Sequence, residues 1–335
     1  MVAGTIGDDE LPAIFSIFDD EQAILLAVSG GPDSLALLML GRRWQERTGW
    51  QGRLFAATVD HGLRPEARDE ADMVAAACAR IGVPHRTVSW RGDKPKTGLQ
   101  EKARAARYAL LDAEADRQGC SAIATAHTLD DQAETVLMRI AHGSGIEGLA
   151  AMRSVSRNRA PRLLRPLLGI AKARLVATLA ALEVDAVTDP SNLDTRFERV
   201  RWRKRTPLLA AAGLPAERLA LVARRAAEAS DALQAIAARF AIEQNADGSI
   251  LSLSRVAWLA EPVALRRAIL LRAMRRLLPD DTVIRLERLE TLEQALAVAD
   301  MSTTLRRTLA GVLVEAVDGL IRLRHEPARR RGRPS

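Results

Sequence analysis

The hexapeptide Ser29-Gly30-Gly31-Pro32-Asp33-Ser34 follows an apolar run, Ala23 to Val28, and precedes a leucine-rich run, Leu35 to Leu40. Strand, glycine turn and helix in that order make a phosphate cradle. Adjacent glycines let the main chain approach an anion closely, and the amides at the start of the next helix point at it, where the helix dipole also favours negative charge. Ser29 and Ser34 add hydroxyl donors. Asp33 is the odd member, because a carboxylate beside bound phosphates repels them unless a divalent cation lies between. Magnesium is thereby implied, with Asp33 as a ligand. No lysine follows the last glycine, so this is not the G-x-x-x-x-G-K-[ST] loop.

A second constellation, Ala124-Thr125-Ala126-His127-Thr128-Leu129-Asp130-Asp131-Gln132-Ala133-Glu134-Thr135, leaves a strand and enters a helix. Thr128 is placed to cap that helix and Asp131 to complete a capping box. Capping does not explain Glu134, which stands one turn from both Asp130 and Asp131, a like-charge crowd that destabilises a helix. The i+4 positions downstream hold no lysine or arginine. The acidic cluster is therefore expected to lack protein counter-charges and to await a cation, either magnesium, an ammonium group or both. His127, at the lip of the strand, is placed to hold a phosphate oxygen or a ribose.

Two further segments offer polar groups. Asp60-His61-Gly62-Leu63-Arg64-Pro65 ends the second strand with a tight turn, and Arg64 could meet a phosphate or the adenine rim. In the helix starting near Leu99, Glu101 is expected to pair with Arg104 at i, i+3. That leaves Arg107, with Tyr108 beside it, as the guanidinium aimed at phosphate or at charge developing in a transition state.

The elements that must position these residues alternate. Strand-like runs at Ala23 to Val28, Leu54 to Val59, His85 to Val88 and Ala122 to Ala126 are interleaved with helical patterns at 35–47, 66–81, 100–118 and 130–141. This order predicts an α/β fold, a parallel sheet with helices on both faces, with ligands beyond the carboxyl ends of the strands. After Gly213 the pattern turns helical, as in Leu233, Ile236 and Phe240 and in Leu286, Leu289, Leu292 and Leu296. Near the end, Asp318-Gly319 between two apolar runs reads as a two-residue hairpin. The expected division is a catalytic domain at 1–213, a smaller, mainly helical domain with a terminal hairpin at 214–325, and a basic tail at 326–335.

The chain has 335 residues, 48% hydrophobic and 27% charged, with a formal net charge of +7. A basic balance suits a polyanionic partner, although solvated helix faces produce it too. Cys78 and Cys120 are the two cysteines and form no Cys-x-x-Cys pair, so both are read as buried thiols in a reducing compartment. No apolar run approaches the ~18 residues of a membrane span, and the acidic Gly7-Asp8-Asp9-Glu10 argues against a targeting peptide. A cytoplasmic protein with no membrane partner is expected. The oligomeric state stays open, a homodimer included.

The Ser-Gly-Gly-x-Asp-Ser turn resembles the signature of the N-type ATP pyrophosphatases, the PP-loop enzymes, which activate a carbonyl oxygen by adenylation with release of pyrophosphate. The blocks Asp60 to Arg64, Glu101 to Tyr108, His127 to Thr135, Gly143-Ser144-Gly145-Ile146-Glu147-Gly148-Leu149, Arg165-Pro166-Leu167-Leu168 with Lys172, and Asp189-Pro190-Ser191-Asn192 narrow the likeness. Taken in order, they resemble a short form of the tRNA(Ile)-lysidine synthetases. The resemblance implies ATP-dependent joining of L-lysine to C2 of the wobble cytidine in tRNA(Ile) with a CAU anticodon.

It also implies roles. Ser29, Gly30, Gly31, Pro32, Asp33, Ser34, Arg64 and His127 would bind ATP; Asp33 and Asp131 would hold magnesium; Asp131 and Glu134 would receive lysine; and Asp33, Arg107 and Asp131 would be catalytic. The stretch Arg196 to Arg205 places six bases and two aromatics within ten residues, which suits phosphate contacts beside a stacked or splayed base. Arg199, Arg201, Arg203, Lys204 and Arg205 are its tRNA-binding candidates, the alternative being a helix with a solvated basic face. This chain reads Arg199-Val200-Arg201 where the family commonly has Arg-Asn-Arg. The glycine-rich 143–148 segment is expected to form a flexible active-site loop, and the arginine-rich helices after 214 are the default grip on the tRNA body. Another PP-loop adenylating enzyme, a tRNA thiolase or a small-molecule amide synthetase, is the alternative reading.

Overall fold

The first strand, β1 (Ala23–Ala27), is apolar throughout and buried at four of its five positions, as a strand covered on both faces must be. It pairs in parallel with β2 (Arg53–Asp60) on one side and β4 (Ala122–Ala124) on the other. Beyond β2 lies β3 (His85–Ser89), and beyond β4 lie β6 (Arg162–Leu164) and the antiparallel edge strand β5 (Val155–Ser156). The computed structural model thus contains a sheet ordered β3-β2-β1-β4-β6-β5. It describes residues 4–62, 67–92, 94, 98–156, 160–187, 194–279, 282–301 and 303–327. Two compact units emerge, residues 1–142 with 151–223 and residues 143–150 with 224–335.

In the first unit, alternate residues of β1 enter opposite cores, as a pleated strand dictates. Ile24, Leu26 and Val28 pack with α1 (Leu11–Phe15), α2 (Pro32–Thr48), α3 (Ala67–Arg80) and α7 (Lys172–Ala181), through residues such as Phe15, Leu38, Val74 and Leu175. Ala23 and Leu25 pack with Leu111 and Ala115 of α4 (Leu99–Gln118). A third cluster joins α5 (Leu129–Ala141) to α8 (Glu198–Ala211) and the start of α9 (Ala216–Ala238), through Val136, Leu137, Trp202, Leu209 and Leu219. Strand order reverses at β1, since β2 and β3 add on one side and β4 on the other. That reversal sets the carboxyl ends of β1 and β4 side by side at the switch point, where sheets of this kind take their ligands. Both cysteines are free and buried, and burial pushes the Cys78 thiol up to about 12 and Cys120 up to about 11.

The second unit contains the one-turn helix α6 (Ile146–Leu149) and an antiparallel sheet. Its strands are β7 (Glu243–Gln244), β8 (Ile250–Ser254), β9 (Leu305–Leu309), β10 (Val312–Val317) and β11 (Leu320–His325), ordered β7-β8-β11-β10-β9. The turn between β10 and β11 has positive φ at both central residues, 51° at Asp318 and 72° at Gly319, the conformation a two-residue hairpin favours. Its inner face, with Leu251, Val314, Ala316 and Leu323, packs against α10 (Arg255–Leu259), α11 (Val263–Arg275) and α12 (Leu286–Val298) through Trp258, Ile269, Leu270 and Leu292. Arginines tie this unit together. Arg266 pairs with Glu293 and Arg267 with Glu290, each at 2.8 Å, while Arg272 donates to the carbonyls of Ala237 and Phe240 at 2.9 Å. The arginine-rich helix α11 therefore spends much of its charge internally. No single helix among the described residues is long and apolar enough to cross a membrane.

Candidate active site

The glycine turn at Ser29 to Ser34 is built as its residue types demand. Val28 extends the sheet by donating to Ala57 O, and then Gly30 takes φ +85°, a conformation that disfavours a side chain. Gly31 caps α2, Pro32 opens it, and the amides of Ser34 and Leu35 fold back onto Gly31 O. The Ser34 hydroxyl donates to Gly31 O at 2.9 Å and accepts from the Ser29 amide at 3.1 Å, with the Ser29 hydroxyl 3.2 Å away. The two serines thus brace the turn that presents the helix amides.

Asp33 stands in the first turn of α2, and Lys172 Nζ donates to its Oδ2 at 2.8 Å. Its other oxygen, Oδ1, is buried without a hydrogen-bond partner. Burial raises the Asp33 carboxyl above the ordinary range, Lys172 opposes this, and the charges of Asp131 and Asp130 add to the rise. Such a carboxylate gains from a nearby cation. Asp130 takes a different task, accepting from the Lys172 amide at 2.8 Å and so joining the start of α5 to the start of α7.

Across the switch point, Thr128 and Asp131 form the expected capping box. The Thr128 amide and hydroxyl donate to Asp131 Oδ2 at 2.9 and 3.0 Å, and the Asp131 amide returns to Thr128 Oγ1 at 3.3 Å. Burial alone would raise the Asp131 carboxyl, but the Thr128 amide and the Arg199 guanidinium outweigh it and hold the group below its usual range. His127 Nδ1 lies 2.9 Å from Thr125 Oγ1, and burial pushes its imidazole down to about 4, so it stays neutral at physiological pH. Among the described residues no group of three or more His, Cys, Asp or Glu side chains converges as a metal cage. The pair Asp33 and Asp131 fits magnesium instead as that ion is usually held with nucleotides, by one or two carboxylates with phosphates and water completing the shell.

The structure corrects one expectation. The acidic cluster is not left without protein counter-charges, because Arg203 grips Glu134 with Nε at 2.7 Å and Nη2 at 3.2 Å, and Arg199 Nε lies 3.0 Å from the same carboxylate. Glu134 is 2% exposed. Its partners come from another helix, some 65 residues on, beyond the reach of an i+4 rule. Val200 is buried, so an apolar residue suits its place between Arg199 and Arg201. Arg201 instead reaches back to the carbonyls of Arg196 and Thr195, and Lys204 and Arg205 are exposed.

At the end of β2, Gly62 donates to Asp60 Oδ1 at 2.7 Å, and Arg107 brings Nε and Nη2 to 3.4 Å from Nε2 of His61. His61 also meets Trp90 edge-on, with ring centroids 6.0 Å apart. Arg104 does not form the expected pair with Glu101 among the described residues; it lies over the Tyr108 ring, 5.1 Å from its centroid, with Nη2 3.5 Å from the Tyr108 hydroxyl. Arg64, the Asp189 to Asn192 block and the tail from 328 lie outside the described residues. The 143–148 segment carries the Gly145 cap of α6, and a Cβ on Gly145 would come within 2.8 Å of Leu286 Cδ2. The sequence reading missed two partnerships, Lys172 with Asp33 and Arg203 with Glu134. A lysine at the very start of a helix was the only local signal of the first.

A glycine turn with an acidic helix start, facing a second carboxylate cluster across a parallel-sheet switch point, defines the PP-loop class of ATP-using domains. A PP-loop domain model matches residues 8–208. The U34-tRNA thiolase NcsA of Methanococcus maripaludis shares the fold at a TM-score of 0.56 and 18% identity, over 65% of this chain and 77% of that one. Similarity is far higher to the tRNA(Ile)-lysidine synthase of Bradyrhizobium sp. strain BTAi1, 43% identical over 96% of this chain and 95% of the relative. The tRNA(Ile)-lysidine synthase of Methylobacterium sp. strain 4-46 is 48% identical over 92% and 90%. The chain belongs to the tRNA(Ile)-lysidine synthase family.

Proposed function

We propose that this chain uses ATP and magnesium to adenylate the C2 carbonyl of the wobble cytidine in an isoleucine tRNA with a CAU anticodon, and that L-lysine then displaces AMP to give lysidine. The observation that carries the reading is the pair of opposed devices at the ends of β1 and β4, a braced phosphate turn with Asp33 and a carboxylate wall with Asp131 and Glu134. In the first step the cytidine oxygen attacks the α-phosphorus, an O–P bond forms, and pyrophosphate leaves. In the second the lysine ε-nitrogen bonds to C2, the C2–O bond breaks, and AMP leaves with the amine proton going to a base.

Ser29, Gly30, Gly31 and Ser34 orient the phosphates, and Asp33 and Asp131 would hold magnesium, which when bound would supply the charge that lets phosphate oxygens lie beside these carboxylates. Lys172, 2.8 Å from Asp33 Oδ2, balances the charge of that carboxylate. His127, neutral, offers a ring nitrogen to the nucleotide, and Arg107 faces the developing charge. Both hydrogen bonds that the Asp131 side chain accepts in the cap fall on Oδ2, which leaves Oδ1 for a ligand. Asp131 and Glu134 form the wall that receives the lysine ammonium, with Glu134 fixed in place by its two arginines. A thiolase reading has no support in the cysteines, since both thiols are buried and their pKa values raised.

The test is incubation with magnesium, ATP and labelled lysine, comparing an unmodified isoleucine tRNA bearing CAU with the methionine tRNA of the same anticodon. ATP-dependent label on the first alone is expected, and Asp33→Asn should abolish it while the melting curve stays cooperative. Pyrophosphate release without label on either tRNA would keep the PP-loop chemistry and overturn the lysidine assignment.

A further inference from the structure

The basic stretch forms one helix, α8, but its charges point two ways. Positions 199, 203 and 206 stack on one face, as do 201, 204, 205 and 208 on another. On the first face Arg199 and Arg203 close on Glu134, Thr206 bonds to Trp202 O, and the neighbouring Trp202 and Leu209 join the cluster with Val136 and Leu137. On the second, Arg201, Lys204 and Arg205 are exposed, followed by Leu208 at 73%. Among the described residues no carboxylate pairs with these three cations. Glu198, at the start of the helix, is already engaged by His142 at 3.2 Å and by Trp202 Nε1 at 3.4 Å.

We infer that α8 divides its work by face: Arg201, Lys204 and Arg205 hold the sugar-phosphate backbone of the tRNA, and Arg203 is a positioning residue that sets Glu134 for lysine and touches no RNA. Charge complementarity selects the occupant of the outer face. A row of cations with no carboxylate partner among the described residues, Arg201 donating only to the carbonyls of Thr195 and Arg196, matches a row of phosphates, and the Trp202 ring beneath Arg205, 5.7 Å from its guanidinium carbon, stiffens the row. The inner face is unsuited to RNA, because reaching a phosphate would cost Arg203 its two-point grip on a buried carboxylate. The inference rests on the proposed function for the identity of the RNA and of lysine.

Binding of the full chain to the unmodified CAU isoleucine tRNA is measured over a range of potassium chloride concentrations. Each outer cation replaced should lower the slope of log K against log salt by roughly 0.7–0.9, so Lys204→Gln with Arg205→Gln lowers it by about 1.4–1.8. Arg203→Gln should leave that slope at the wild-type value and raise the lysine KM on the order of tenfold, more than it lowers kcat. Arg203→Lys should restore part of the KM. If Arg203→Gln compromises folding, the slope is read in Arg203→Gln/Glu134→Gln, which removes both members of the buried pair. A slope lowered by Arg203→Gln as much as by Lys204→Gln overturns the division, as does an unchanged slope in the outer double variant. The titration needs no turnover, so a wild type that binds RNA but makes no lysidine refutes the proposed function separately.

Discussion

Glu134→Gln probes the Glu134 ion-pair cluster most directly. The amide preserves shape but removes the negative charge that two guanidiniums share, Arg203 at 2.7 Å and Arg199 at 3.0 Å. Breaking a fully buried pair costs about 3–5 kcal/mol. Here the carboxylate is 2% exposed but each arginine side chain keeps 37%, so water screens the stranded cations and about 2 kcal/mol is the fitting magnitude. For a unit of this size that lowers Tm by about 4–8 °C. Thermal unfolding of the full chain followed by circular dichroism measures it, within a double-mutant cycle that includes Arg203→Gln and both changes together. The double variant should recover part of the loss, with a coupling of about 1 kcal/mol or more. A Glu134→Gln protein that melts with the wild type, or losses that simply add, would refute the claim that this pair is buried and coupled.

Two further outcomes follow from the same site. His127 has a folded-state pKa pushed down to about 4 by burial, against an unfolded value near 6.5; the unfolded chain therefore binds the extra proton first, and stability falls as pH drops through that window. His127→Asn should flatten this part of the stability–pH profile, and a profile that keeps its slope counts against a neutral, buried imidazole. Gly30→Ala places a side chain at φ +85°, where Met73 Cε lies 3.3 Å from the new Cβ. The flexible methyl can yield but the backbone cannot, so we expect a loss of about 1–2 kcal/mol together with weaker ATP binding in calorimetric titration; unchanged binding would show that the turn does not need this conformation.

Much of the first unit was legible because its signals are local. Apolar strands at 23–28 and 54–59, the helices after them, the glycine turn and the Thr128–Asp131 cap each depend on neighbours a few residues apart, and the structure reproduces them within a few residues. The Asp318-Gly319 hairpin was legible for the same reason. The polar strand Leu305–Leu309 and the short Ile250–Ser254 were not, since they become strands by pairing with that hairpin.

Residue types and spacing alone determined that a glycine turn and an acidic helix start would meet at strand ends, because a parallel α/β sheet brings its carboxyl edges together. Only the tertiary structure decided what those carboxylates touch. Lys172 reaches Asp33 across 139 residues, and Arg203 reaches Glu134 across 69. Whether a buried charge is paired depends on which helices pack face to face, and that is settled by the cores beneath α5, α7 and α8, not by any pattern along the helix that carries the charge.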